Sequence, residues 1–445
     1  MRTASRGVIL FCVLQLGGPL AAQEHLAVPD RTSAARSILS LLAARDFGAV
    51  VERFDSTMQR VMPEPKLAET WDALVGQVGA FASQGQATPD RVQGFDRVTI
   101  ASTFARATLD VRLVFNQAGL VSGLWFAAHA PPPSSSPPPY ADTASFRETD
   151  VRVGQSDLAL PGTLTLPTAA GQHPAVVLVH GSGPHDRDET IGPNRPFRDL
   201  AWGLASRGIA VLRYDKRTRV HAALIAKSPS GFTVREETVD DALAAIALLR
   251  ITAGVDTSRV FVLGHSLGGM LAPRIAARDP GIAGLIILAG STRPLDDILI
   301  AQHEYLARLD DSVTSGEEQR LADLRRDLAA VSTLSATDRA SPKLILGAPP
   351  SYWLDLRAYD PVATAGRLTH PMLILQGGRD YQVTMEDFQG WEAALADRAD
   401  VRMRVLPALN HLFMAGEGTP SPAEYQTPRH VAPEVIEEIT DWIQP

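Results

Sequence analysis

Gly264-His265-Ser266-Leu267-Gly268 is the one Gly-x-Ser-x-Gly in this chain of 445 residues. A serine framed by two glycines is a candidate nucleophile, because the glycines let neighbouring backbone crowd around a sharply turned serine. The apolar run at 260–263 reads as a strand and 267–277 as a helix, the context in which such a turn lifts a hydroxyl above a sheet. A hydroxyl is a weak nucleophile, so it requires a general base and a third group that fixes the base's tautomer. Residues 407–413, which follow a strand at 401–406, offer His411 as the base. Residues 376–381 follow a strand at 372–375 and offer Asp380 as its partner, with Asp360 in Tyr359-Asp360-Pro361 as the rival. The chain order Ser266, Asp380, His411 fits a hydrolase triad. His265 is a neighbour in sequence only, since the side chain beside an elbow serine is expected to point elsewhere.

Attack on a carbonyl creates an oxyanion, which preorganised backbone N–H groups must meet. Leu267 is one candidate donor. The other comes from His180-Gly181-Ser182-Gly183-Pro184 after the apolar run 175–179, with Ser182 first and Gly183 as the alternative.

These loops need a sheet that delivers them to one edge. Strand patterns at 175–179, 209–214, 260–263, 285–288, 372–375 and 401–406 alternate with helical patterns at 197–206, 238–251 and 267–277, after opening strands at 151–153 and 158–166. Repeated strand-helix units imply a mostly parallel, doubly wound α/β sheet whose carboxyl edge carries the chemistry. Residues 291–369 interrupt the alternation with helical patterns at 297–309 and 317–330, as an inserted helical cap would.

Pro131-Pro-Pro-Ser-Ser-Ser-Pro-Pro-Pro139 favours extended geometry and cannot bury a core, so 129–144 reads as a linker. Before it, helical patterns at 32–44, 47–61 and 67–81 precede strands at 92–104, 108–115 and 120–127, a small α+β domain over 30–128. The hydrolytic domain then spans 145–445.

Hydrophobic residues are 45% and charged residues 21%, the balance of ordinary globular protein. With 42 Lys and Arg against 50 Asp and Glu the net charge is -8, so the basic excess that phosphate backbones require is missing and nucleic acid is not an expected partner. Arg2 and Arg6 before an apolar run that ends near Ala21-Ala22 read as a signal peptide over 1–22, not a stable membrane anchor. The expectation is a periplasmic or secreted protein. Cys12, the single cysteine, lies in that segment, so the mature chain is expected to lack thiol chemistry.

At His180 to Pro184, Asp186-Arg187-Asp188-Glu189-Thr190, Arg213-Tyr214-Asp215-Lys216-Arg217 and Gly264 to Gly269, residues 145–445 resemble the α/β-hydrolase family. The resemblance is to a bacterial serine carboxylesterase subgroup related to dienelactone-hydrolase-like and prolyl-oligopeptidase-like enzymes. Residues 31–128, with Phe54-Asp55, Trp71 and Thr108 to Arg112, resemble the nuclear-transport-factor-like or cystatin-like domain that precedes the hydrolase there, and imply no chemistry. The resemblance implies the triad Ser266, Asp380 and His411, a small-molecule ester substrate and no cofactor. Ser266 stands where dienelactone hydrolases carry cysteine, and where relatives that remove halide or open epoxides carry aspartate, which argues against those substrates.

Other features admit two readings. Asp186, Arg187, Asp188 and Glu189, with Arg213, Asp215, Lys216 and Arg217, either orient a charged substrate or form a salt-bridged, solvated loop, the more ordinary role. His185 beside three acids lacks a second histidine at ligand spacing, so no metal is implied. In the cap, Tyr305, Leu306, Tyr352, Trp353 and Leu356 either line an acyl pocket or form the cap's own core; Tyr305 and Trp353 are the substrate-binding candidates. The competing functions are a serine peptidase or acyltransferase on the same triad, and a binding protein with a vestigial site.

Overall fold

The computed structural model describes residues 31–92, 95–129, 136–310 and 312–445. The expected signal segment and residues 130–135 of the expected linker lie outside them. The chain divides into two units, Met1–Pro131 and Pro132–Pro445.

In the first unit, helices Thr32–Ala43, Phe47–Val51, Ser56–Val61 and Glu64–Val78 precede β1 (Phe81–Val92), β2 (Phe95–Phe104), β3 (Thr108–Phe115) and β4 (Val121–Ala128). The strands pair antiparallel in chain order. Trp71 sits within 5.8 to 6.5 Å, ring centre to ring centre, of Phe81, Phe104 and Phe126, joining the helical layer to the sheet. Two expectations are corrected here. The pattern at 67–81 ends as a helix at Val78, because Gly79 at φ 83 turns the chain into β1, which sequence reading missed. The single helix expected at 47–61 is two, since Asp55 accepts from the N–H groups of Thr57 and Met58 and caps a new start.

The second unit is built on an eight-stranded sheet of β5 (Phe146–Val153), β6 (Leu160–Pro167), β7 (His173–Val179), β8 (Ala210–Tyr214), β9 (Val255–His265), β10 (Leu285–Leu288), β11 (Met372–Gly377) and β12 (Val401–Leu406). Their order is β12-β11-β10-β9-β7-β8-β6-β5, parallel from β8 to β12, with β6 antiparallel to both its neighbours. This is the doubly wound α/β architecture. Every residue of β7 is buried: Val177 and Val179 face one apolar layer, Val176 and Leu178 the other. That two-sided burial is why the run is apolar without alternation. Helices Asp240–Arg250, Leu267–Ala276 and Met385–Leu395 cover the first face, Pro196–Ala205 and Pro433–Ile443 the second. The strand order reverses around β7, so the loops after β7 and β9 meet at the sheet's carboxyl edge. Between β10 and β11 the chain forms helices Leu295–Ala307, Ser315–Ser332, Pro350–Arg357 and Pro361–Ala365, two more than the sequence patterns suggested.

Candidate active site

Strand β9 runs through His265 and the next helix starts at Leu267, which leaves Ser266 alone to make the turn at φ 55 and ψ -118. A non-glycine residue in that region carries strain of about 1–3 kcal/mol, maintained only where surrounding structure imposes it. Here Ser266 N–H donates to Leu288 O at 2.9 Å and Ser266 O accepts from Met270 N–H at 2.9 Å. The flanking glycines are required by space: a Cβ on Gly264 would lie 2.1 Å from Gly268 O, and one on Gly268 2.2 Å from Val179 O.

The loops after β11 and β12 pack directly on each other. A Cβ on Gly377 would lie 2.6 Å from Leu409 O, and one on Gly378 2.7 Å from Pro407 Cα, so only glycines let the loops close. Their closure brings His411 Nδ1 to 2.7 Å from Asp380 Oδ2. Asp380 Oδ1 accepts from the N–H groups of Gln382 and Val383 at 2.8 and 3.0 Å. A carboxylate so placed only accepts, which assigns the hydrogen to His411 Nδ1 and leaves Nε2 with a lone pair. Asn410 Oδ1 accepts from Leu412 and Met414 N–H and holds the histidine loop in shape. Asp360, the rival, caps helix Pro361–Ala365 by accepting from Ala363 N–H at 2.8 Å.

A cleft opens beside Ser266, with Ser182 and Leu267 in its wall. Gly183, the alternative donor, is not among the cleft's lining residues. One face of helix Leu295–Ala307, formed by Leu295, Ile298, Leu299 and Gln302, supplies the opposite wall, with Gln382 and Val383 beside it. This corrects the cap reading. Trp353 packs with Leu267, Met270, Leu271 and Val331 in a buried cluster, its Nε1 donating to Ile345 O. Tyr305 stacks on Tyr381 at 5.3 Å and donates to Pro420 O. Neither lines the cleft. The residues that do were overlooked, although Leu295, Ile298 and Leu299 recur at helical spacing.

The charged loop is salt-bridged, as its more ordinary reading held, with Arg187 on Asp215 and Asp150 and Arg213 on Asp188 and Glu148. It is not solvated throughout. Glu189 is 1% exposed, with Oε1 2.7 Å from Gly181 N and Oε2 2.8 Å from His265 Nδ1. Burial by itself would raise the Glu189 carboxyl, but His265, with smaller contributions from His185 and His180, holds it down at about 2. His180 is pushed down to about 3 by burial and stays neutral. His265 does turn from the elbow, yet its Nε2 lies 2.9 Å from His411 O and its ring centre 4.7 Å from that of His411. His185 points back on its own loop, Nε2 at 2.6 Å from Ser182 O.

The "Alpha/beta hydrolase family" profile matches residues 176–425, and a "Protein of unknown function (DUF3887)" profile matches 35–124. Esterase EstD of Thermotoga maritima is 38% identical over 410 residues, covering 90% of this chain and 92% of that one. Lysophospholipase L2 of Escherichia coli is 30% identical over 130 residues, 28% of this chain and 37% of that one. A solved esterase of Pyrococcus furiosus aligns over 71% of this chain and 97% of its own, with 18% identity and a TM-score of 0.42.

Proposed function

The chain belongs to the alpha/beta hydrolase family, and from that premise we propose that it is a serine carboxylesterase working through an acyl-enzyme. The observation that carries the reading is the Asp380–His411 pair, 2.7 Å apart, on loops that leave the same carboxyl edge of the sheet as the strained Ser266 turn. The 38% identity to an esterase over 90% of the chain supports an ester as substrate.

In the proposed reaction Ser266 Oγ attacks the ester carbonyl while His411 Nε2 takes its proton. Leu267 N–H at the helix start and Ser182 N–H receive the oxyanion. Collapse expels the alcohol, which takes the proton from His411; a water activated by the same nitrogen then releases the acid. Asp380 keeps the imidazole oriented and stabilises its cationic form. The acyl group lies against Leu295, Ile298, Leu299 and Val383, a wall suited to an uncharged hydrocarbon chain. A peptidase that grips a substrate amine is less well served, since no carboxylate lines the cleft among the described residues.

Arg2, Arg6 and the apolar run after them support export to the periplasm or medium. Among the described residues no helix is long and apolar enough to cross a membrane. A panel of p-nitrophenyl esters, amides and peptides, run on the wild type and Ser266→Ala, tests the reading. Esters turned over by the wild type alone are expected; amide or peptide preference would replace esterase by peptidase. Amino-terminal sequencing of protein from cell fractions tests export, with processing near Ala22 expected.

A further inference from the structure

Behind the cleft lies a buried ion pair for which the proposed chemistry has no use. Glu189 and His265 are 1% and 4% exposed, in a box walled by Phe197, Leu200, Leu288, Leu412 and Phe413. The His265 ring meets an acceptor at each nitrogen: Glu189 Oε2 at 2.8 Å from Nδ1 and His411 O at 2.9 Å from Nε2. The His411 carbonyl has no hydrogen to give, so Nε2 carries one, and the carboxylate against Nδ1 favours the protonated, cationic ring. The Nδ1 contact is a close ion pair rather than an in-line hydrogen bond. Burial pulls the imidazole down, but the adjacent Glu189 carboxylate, the His411 carbonyl and the charge of Asp380 raise it above its ordinary value. His180 and His185 face Glu189 from its own loop, and Lys216 donates to Gly181 O from the other side.

The pair spans three elements. Glu189 Oε1 holds Gly181 N–H at 2.7 Å, on the loop after β7 that carries Ser182. His265 ends β9, the strand that delivers Ser266. The His411 loop arrives from β12, which β10 and β11 separate from β9, so it must reach back across the sheet edge. The bond from His265 Nε2 to His411 O ties it there. In an apolar box attraction between opposite charges is strong and little screened, which makes the tie stiff.

We propose that Glu189 and His265 are positioning residues of this site: their ion pair locks the oxyanion loop, through Gly181, to the loop of the base, through the His411 backbone, and so sets where the proton acceptor stands relative to the developing oxyanion. The proposal rests on the esterase reading. A shift of the reacting groups by an ångström lowers the chemical step far more than substrate binding, which gives the pair a signature distinct from bulk stability.

The test is a double-mutant cycle in the full chain with p-nitrophenyl butyrate: Glu189→Gln, His265→Gln and both together, each measured for kcat, KM, melting temperature and fluorophosphonate labelling rate. The expected result is a kcat about a hundredfold below wild type in either single variant, KM within about twofold, and a double variant no worse than the singles. Glu189→Asp, which keeps the charge, should recover part of kcat. If a single variant fails to fold, the double variant decides, since it leaves no lone buried charge. Wild-type kcat in folded double variant, or single losses that multiply, overturns the proposal. A wild-type protein that neither turns over the ester nor labels at Ser266 overturns the esterase reading instead.

Discussion

Lys216 Nζ lies 2.7 Å from the carbonyl oxygen of Gly181, and this contact fixes the direction of the Ser182 N–H. The two groups belong to one peptide unit, which is planar, so holding the oxygen on one side aims the hydrogen to the other. Lys216 is 2% exposed and its ammonium also faces Glu237 Oε1 at 3.4 Å, whose Oε2 accepts from Tyr352 in the cap at 2.6 Å. The N–H proposed to receive the oxyanion is thereby anchored to the same charge cluster as a cap helix.

Lys216→Met therefore loosens the proposed oxyanion donor. A fall in kcat of roughly tenfold to a hundredfold is expected, below the 10²–10³ typical for deleting such a donor outright. The variant also strands Glu237, a stability loss of about 3–5 kcal/mol for a broken buried pair. Lys216→Met with Glu237→Gln removes that charge and should recover melting temperature without recovering kcat. Recovery of both would show that Lys216 acts on stability alone.

The two aspartates near the end of the cap separate cleanly. Asp380→Asn keeps shape but removes the charge that stabilises the imidazolium and selects its tautomer, with a loss on the order of a thousandfold or more in kcat. Asp360→Ala removes a helix cap at about 1 kcal/mol and leaves kcat alone. Turnover and thermal melts on both variants check the pair; a well-folded but dead Asp360→Ala reverses the assignment.

Acid should expose the Glu189–His265 pair in stability. The Glu189 carboxyl, held at about 2 in the folded protein against 4.5 ordinarily, contributes stability that is complete above 4.5 and vanishes as pH falls toward 2. Its size is about 3 kcal/mol at most. His265, shifted upward, works in the opposite sense: its contribution is complete below the ordinary imidazole range and fades as pH rises through the raised folded value. Denaturant melts from pH 7 to 3 should show the wild type and the Glu189→Gln, His265→Gln double variant converging on the acid side. A stability gap independent of pH contradicts an ionised pair.

The cleft wall predicts acyl selectivity. Leu299→Ala enlarges the apolar space facing Ser266, so kcat/KM for an octanoyl over an acetyl p-nitrophenyl ester should rise about tenfold, the scale of one or two methylenes in a hydrophobic site. Leu299→Trp should reverse the preference. An unchanged ratio in both variants places the acyl group elsewhere.

Much of this was legible in the sequence where burial or geometry acts locally. Residues 175–179 and 285–288 are apolar because both sheet faces bury them, and the Gly-x-Ser-x-Gly turn is readable because Gly264 and Gly268 admit no Cβ. Asp380 and His411 are legible as candidates because each follows a strand whose carboxyl end shares an edge with Ser266. Strand β1 was not, because Gly85 and Pro89 break its pattern, as an edge strand tolerates. Glu189 looked like one more charge in a polar run. Its partners Gly181 and His265 are brought to it by the sheet, and no spacing in the sequence announces that meeting.

The central claim is a covalent acyl-enzyme on Ser266, and rapid acid quenching during turnover of p-nitrophenyl butyrate tests it most directly. Peptide mass analysis should find one butyryl group on the peptide containing Ser266, formed with a burst of p-nitrophenol equal to the enzyme concentration, and none in Ser266→Ala. A butyryl group on another residue, or undiminished turnover by Ser266→Ala, would contradict it.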